Sequence, residues 1–462
     1  MAHVDVDVVV VGGGVAGLIA ADRLVAAQHS VRVLEARDRV GGRTVTVDVP
    51  GFEGVRVDQG GQWVGPTQDA VYAELARFGL ETHPQSVGGS ALIIFRGKPR
   101  RYTGRIPKLD PLTVADVGQA QLRFDRLART VDLAEPWRTP KAAELDGQTF
   151  ESWLRRVCRT KGGRDFFRIA TEAVYATMPA NISLLHVLFY AASGTSLETL
   201  ISTVGGAQQD RVVAGLGQLS VSLADHLGDE VVRLREPVRE IDQTGEVVVV
   251  RTDTGEHTAR RVIVAVPPTL AGRIVYRPAM PARRDQLTQR MPHGGIIKCH
   301  AVYDEPFWRA DGLSGEAVSD EGPVQVIFDA SPPQGTPGIL LAFLDGPTAL
   351  RLGAAPAEQR REEVLRSLTR FVGARALSPV AYLERDWNAE EWTRGCYGAH
   401  LPPGAWTQVG PALREPVGRI HWAGTETATR WCGYVDGALT SGERAAAEVA
   451  QVLTQAAAHS TT

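Results

Sequence analysis

Two hydrophobic rhythms alternate along the chain. Val6–Val11 is an unbroken β-branched run, and a run with no polar position reads as a strand buried on both faces of a parallel sheet. The spacing then lengthens, with Ala and Leu on one side of a helix from about Val15 to Ala27. Ser30–Leu34 is a second short strand that ends at Glu35, which completes a βαβ unit. From Pro111 to Leu227 the spacing is helical and rich in Ala, Leu and Arg, with breaks such as Lys161-Gly162-Gly163 and Met178-Pro179. It predicts a mostly helical layer. Strand patterns return at Val231–Val238, Glu246–Thr252 and Arg261–Val266, the first two parted by the turn-like Gln243-Thr244-Gly245. A second sheet is predicted from Ile296–Tyr303, Val324–Asp329 and Ile339–Leu344, with a helix over Ala357–Val372. The block from Asp386 mixes Gly, Trp and Tyr before a closing amphipathic helix over Val435–Leu453.

With 462 residues the chain exceeds what one core accommodates, yet no repeat or low-complexity linker divides it. Discontinuous domains, with the chain crossing between them, are expected. A net charge of −3 offers no attraction for nucleic acid or an anionic membrane. Cys158, Cys299, Cys396 and Cys432 form no CxxC pair, lie at no zinc spacing and are too few for a disulfide framework, which suits a reducing compartment. The N-terminus carries no basic segment or cleavage site, and nowhere do eighteen apolar residues run together. A soluble, cytoplasmic protein is the expectation.

Chemistry enters at Gly12-x-Gly14-x-x-Gly17, which follows a strand and opens a helix. Gly12 permits the tight turn, Gly14 lets backbone approach a pyrophosphate, and Gly17 permits close helix–strand packing, with phosphates on the helix N-terminus. Glu35, ending the next strand, suits ribose hydroxyls. Ala36, Arg37 and the Gly41-Gly42-Arg43 segment add further N–H donors and a guanidinium, which favours FAD over NAD. Only five lysines are present, at 98, 108, 141, 161 and 298, and none precedes Ser or Thr, so no P-loop exists. Lys298 lies within an apolar strand, as an edge charge or as a buried functional amine. Cys396, in RGCYGAHLPPG, reads by default as a packed thiol, and Tyr397 or Tyr434 taken singly as a core tyrosine.

Taken together, GGGVAGL, LEARDRVGGRT, GGQWVGPTQ, KCHAVYDEPFW and WAGTETATRWCGYVDGALTSGERAA resemble the flavin monoamine oxidase family, at both ends of the chain and between. The resemblance implies an α/β fold. A Rossmann-like, para-hydroxybenzoate-hydroxylase-like FAD-binding domain would come from residues 1–80, 205–290 and 386–455. A discontinuous substrate domain of mixed sheet plus helices would come from 81–204 and 291–385. Beyond the residues above, it assigns to the cofactor Gly61, Gln62, Trp63, Val238 (by its backbone, to adenine), Trp387, Gly424, Thr425, Glu426, Gly433 and Val435, which opens the last helix. Lys298 matches the lysine that holds a water against flavin N5, and Tyr397 with Tyr434 the aromatic pair flanking the amine. Cys396 falls where mitochondrial-type members carry a cysteine in thioether linkage to the flavin 8α-methyl. The expectation is a covalent 8α-S-cysteinyl FAD, although many bacterial relatives hold FAD without a bond.

For the substrate, Leu200 and Ile201 resemble a gating pair and Gln208 a polar lining residue. Val326 replaces the aromatic or acidic residue found there elsewhere, which argues against a diamine. Glu172 faces either the pocket or solvent, and solvent is the expectation. The implied reaction takes a hydride equivalent from the α-carbon of a neutral primary or secondary amine to FAD. The imine hydrolyses to aldehyde, and O2 returns the flavin with release of hydrogen peroxide. No acid–base dyad beyond the lysine-held water is expected. The alternatives are an amino-acid or polyamine oxidase, an amine dehydrogenase using another acceptor, or an FAD-binding scaffold without catalysis. A homodimer is implied by analogy only.

Overall fold

A computed structural model describes residues 4–104 and 109–460, so that Lys108 lies outside the described residues. Val6–Val11 sits mid-sheet, pairing in parallel with Val31–Leu34 on one side and Glu256–Val264 on the other. Val232–Arg233 and Ile420–Trp422 extend the parallel part, while Val248–Thr252 and Val238–Asp242 form an antiparallel ribbon that reaches the edge strand Val275–Arg277. The continuous valine run follows from burial on both faces. Val8 and Val10 pack in the core beneath the helices Val15–Ala26 and Val435–Ser460, while Val6 and Val11 pack in the opposite core with Trp422. The expected strand Val231–Val238 is in fact two strands. Arg235 adopts φ 60° and Pro237 lacks an N–H, so the ladder stops at Arg233 and resumes at Val238.

The second sheet runs Ala381–Asp386, Ile296–Tyr303, Gly338–Asp345, Val326–Asp329, Leu313–Ser319, Ser90–Phe95, Lys98–Tyr102. Ile296–Tyr303 and the helix Ala357–Val372 lie where the pattern places them. Four strands were not anticipated. Lys98–Tyr102 is a polar, mostly exposed edge, and Ala381–Asp386 is half-buried throughout, so neither shows an apolar period. The other two, Ser90–Phe95 and Leu313–Ser319, pair in parallel across a long stretch of chain. The two faces of this sheet do different work. Leu340, Ala342 and Leu344 pack against Ala357–Val372, whereas Ile339, Leu341 and Phe343 face Trp387 and Cys396. The helical layer, with Pro111–Ala128, Lys161–Tyr175 and Leu184–Ser193, closes around Phe124, Phe150, Trp153 and Phe167. Among the described residues, no helix is long and apolar enough to cross a membrane.

Gly17 sets how closely the first helix approaches its strand. A Cβ there would lie 2.0 Å from the Gly12 carbonyl oxygen, backbone that has no freedom to yield. Gly17→Ala should therefore destabilise the fold by about 1–3 kcal/mol and weaken retention of the flavin that the resemblance implies. Thermal denaturation and cofactor content measure this, and wild-type values for both would contradict it.

Candidate active site

A cavity of about 380 Å³ runs between the two sheets. At one end its wall is Gly12, Gly14, Glu35, Arg37, Gly41, Gly42 and Arg43. The helix opening at Val15 has no side-chain cap and no acid in its first turn, which leaves its positive end open to an anionic ligand. Glu35 accepts from the backbone N–H of Gly13 at 2.7 Å and of Arg37 at 3.0 Å, which fixes its carboxylate at the end of its strand. Arg43 makes a bidentate pair with Glu426, at 2.6 and 3.0 Å, and donates to the Tyr397 carbonyl at 2.9 Å. Burial would raise the Glu426 carboxyl, but the Arg43 guanidinium outweighs it and holds the group at about 2.

Lys298 projects from the buried strand Ile296–Tyr303. Its Nζ donates to the Gly60 carbonyl at 2.7 Å and Gln62 Oε1 at 2.6 Å, and lies 5.8 Å from the ring centroids of both Trp63 and Phe343. Burial lowers its ionisation to about 7, partly opposed by the Asp58 carboxylate. The Cys396 thiol, 5% exposed and on the cavity wall, is pushed up to about 12, chiefly by burial. The peptide joining Cys396 to Tyr397 is cis. Tyr397 meets Phe343 edge-on, with centroids 6.3 Å apart, and Tyr434 meets Trp431 at 5.0 Å. Thr425 Oγ1 donates to the Tyr434 carbonyl at 2.8 Å, and Gly433, at φ 85°, leaves room for Tyr190, whose hydroxyl would lie 2.1 Å from a Cβ there.

The cavity brings together Gly12, Gly14, Glu35, Arg37, Gly42, Arg43, Gly61, Gln62, Trp63, Lys298, Cys396, Tyr397, Gly424, Thr425, Gly433, Tyr434 and Val435, and beyond them Leu200, Ile201, Gln208 and Val326. Leu200 is fully buried and Ile201 is 41% exposed. Gln208 donates to the Leu200 carbonyl and leaves its Oε1 without a partner. Gly17, Ala36, Val238, Trp387 and Glu426 are not on the wall. Gly17 is a packing residue, Trp387 is buried with its Nε1 donating to the Gln59 carbonyl, and Glu426 stands behind Arg43.

Two expectations are corrected. Glu172 does not face solvent: it is buried at 4% exposure and paired with Arg168 at 2.9 Å, because the helix Lys161–Tyr175 turns that face inward. Nor does the neutral Val326 leave the cavity without an acid, since Glu316 and Asp345 both line it. Sequence reasoning also missed Phe343, Ala170, Ala173 and Val174. Strand alternation puts Phe343 and Asp345 on one face, but only the observed register, which pairs Phe343 with Lys298, shows that this face meets the site.

The walls fit a flavin dinucleotide. Gly14 and Gly42 face each other with no side chain between, so the turn is left bare, and N–H donors, guanidinium and carboxylate share its wall, the groups that suit pyrophosphate and ribose. The buried Nε2 of Gln62, on the same wall, has no partner among the described residues. A family model described as flavin containing amine oxidoreductase matches residues 15–450. The chain belongs to this family. AofH of Mycobacterium tuberculosis, provisionally named a flavin-containing monoamine oxidase, is 45% identical over 97% of each chain. An L-amino acid dehydrogenase of Synechocystis is 39% identical over 97% of this chain and 95% of its own. A putrescine oxidase solved with putrescine bound aligns with a TM-score of 0.92 and 37% identity, over 96% of this chain and 98% of that one. The protein is thus an FAD-dependent amine oxidase on the fold that the motifs imply, acting on a small-molecule amine.

The Arg43–Glu426 pair makes a testable contribution to the oxidase's stability. Because the Glu426 carboxyl is depressed from 4.5 to about 2, that contribution is complete above pH 4.5 and is lost as pH falls through about 2. Glu426→Gln leaves Arg43 uncompensated and should cost about 3–5 kcal/mol at neutral pH, with a flatter acid limb. Urea titrations across that range measure it, and parallel acid limbs for the two proteins would contradict it.

Proposed function

We propose that this oxidase holds FAD at the glycine-lined end of the cavity, covalently through Cys396 Sγ, and oxidises a monoamine seated between Tyr397 and Tyr434 with O2 as acceptor. The observation that carries this reading is the distribution of charge on the cavity wall. Among the described residues, the cations on its wall are Arg37 and Arg43, in the glycine-lined half, and Lys298, held by Gly60 and Gln62, whereas the far half carries two carboxyls, Glu316 and Asp345, among rings and aliphatic chains. An ammonium-bearing molecule suits that half, and an α-carboxylate finds no partner in it.

A bound FAD supplies the two-electron acceptor that no side chain provides. The protein's part is to bind and orient. The Gly12–Gly17 turn and Arg43 take the pyrophosphate, Glu35 the ribose, and Gly424, Thr425 and the start of the Val435–Ser460 helix the chain leading to the ring. Lys298 spends two of its N–H groups on Gly60 and Gln62. What is left on Nζ is one donor when charged or a lone pair when neutral, and either holds one water. Tyr397 and Tyr434 offer aromatic faces to the amine, and Leu200, Phe343 and Val326 keep bulk water from the reacting carbon. The four cysteines are all buried and unbridged, which supports a cytoplasmic setting. The division into 1–80, 205–290 and 386–455 against 81–204 and 291–385 is retained, because the two sheets draw their strands from these separate parts.

Oxidation of an amino acid with another acceptor is the second reading, favoured by the likeness to the Synechocystis dehydrogenase. Turnover of a primary amine against its α-amino acid counterpart, with peroxide release followed, separates the two, and a preference for the amino acid or a need for an artificial acceptor would overturn ours. Lys298→Met should keep its flavin and lose about 10²-fold or more in turnover; wild-type turnover would remove Lys298 from the reaction. Acid precipitation tests the linkage: colour should pellet with the wild-type polypeptide and remain in solution with Cys396→Ala. Free flavin from the wild type would return Cys396 to a packed thiol.

A further inference from the structure

The far half of the cavity contains a carboxyl, that of Asp345, with no ion-pair partner among the described residues. Asp345 ends the strand Gly338–Asp345 two residues beyond Phe343, so the period of two sets both on the same face, and both line the cavity. Asp345 is 4% exposed, and its Oδ1 has no hydrogen-bond partner. The residue stands at the N-cap of the helix Gly346–Gly353, but its side chain caps nothing, and Pro347 removes one N–H it could have met.

Its neighbours supply no cation either. On the helix Lys161–Tyr175 the facing group is Glu172, whose carboxylate is already taken by Arg168 at 2.9 Å. From the loop after Cys396 it is the Tyr397 phenol. On the paired strand Ile296 lies opposite, and on the following helix Arg351 is exposed. Among the described residues, no Lys, Arg or His forms an ion pair with Asp345. Leaving a carboxyl buried without a partner is costly, so one retained on a cavity wall calls for a functional reason.

We propose that Asp345 receives the substrate as its ammonium ion and takes the proton from it. The N–H bond breaks, an O–H bond forms on the carboxylate, and the uncharged amine is left beside Tyr397 with its lone pair free; no other reactant is consumed. This rests on the reading that the cavity binds the amine. An alkylammonium ionises near pH ~10, as lysine does, so amine arrives protonated, whereas loss of the α-hydrogen requires the neutral form. Burial and then the Glu172 charge raise the Asp345 carboxyl well above its ordinary range, which narrows the gap that the proton must cross. Lys298 lies apart, with Gly60 and Gln62 as its partners.

The test uses the flavin-loaded enzyme and a tert-alkylamine, which has no α-hydrogen to lose, fluorinated so that its own ionisation falls within the pH range the protein tolerates. Affinity is read from the perturbation of flavin absorbance. The wild-type complex contains one proton shared between carboxylate and amine, so once pH exceeds the ionisations of both groups its affinity should fall tenfold per unit. Asp345→Asn binds only neutral amine. Its affinity should climb tenfold per unit up to that ionisation and then stay level. Asp345→Ser, whose hydroxyl cannot take the proton, should behave as Asp345→Asn does and covers the case in which one variant misfolds. Matching profiles for wild type and variants would overturn the role of Asp345 while leaving the cavity reading intact. The same holds for a loss in the variants confined to diamines, which would place Asp345 at a distal group. No perturbation by any amine in the wild type would overturn both.

Discussion

The pair between half-buried Arg43 and buried Glu426 is the interaction on which the site depends. It joins the glycine-rich segment near the start of the chain to the loop before the last helix, 383 residues away in sequence. Arg43 also holds the Tyr397 carbonyl, Glu426 accepts from the Ala399 N–H at 3.2 Å, and the residue before Glu426, Thr425, holds the Tyr434 carbonyl. Both aromatic residues of the site are thus anchored by their backbones to one ion pair or its flank. Its value is positional. A buried pair gains little over an apolar replacement, but removal of one partner leaves a charge that the interior cannot tolerate.

Around that pair, two sheets divide the work. The parallel sheet brings Gly12 and Glu35 to the same end of adjacent strands, where N–H donors and a carboxylate meet a dinucleotide. The mixed sheet turns one face to its own helix and the other to the cavity, so Lys298 and Phe343, paired across two strands, arrive together. Polarity along the cavity follows from this arrangement. Guanidinium groups and backbone donors lie at the first sheet's end, Lys298 stands with Phe343 on the second sheet, and Glu316 and Asp345 add two carboxyls to the wall.

The parts legible in the sequence were those whose signal is local. The Val6–Val11 run, the Gly12–Gly17 spacing, Lys298 in an apolar strand and the Cys396–Tyr397 loop all carry their meaning within a few residues, and Gly12, Gly14, Lys298, Cys396 and Tyr397 line the same cavity. What escaped depends on register and partners. Asp345 and Glu316 are ordinary acids until their strands are placed, and the inward face of the Lys161–Tyr175 helix, with Glu172, depends on what packs above it. The break at Arg235 and Pro237 was visible in composition but masked by flanking valines. Val238, assigned by resemblance alone, lies off the cavity wall.

The central claim is that this cavity passes electrons from an amine to a flavin. Mixing the purified yellow protein anaerobically with a primary amine and following the flavin absorbance tests it most directly. The account predicts that the oxidised flavin bleaches in a single turnover and that its colour returns when oxygen is admitted. Colour that persists through every amine tried would contradict it and leave a flavin-binding protein without this chemistry.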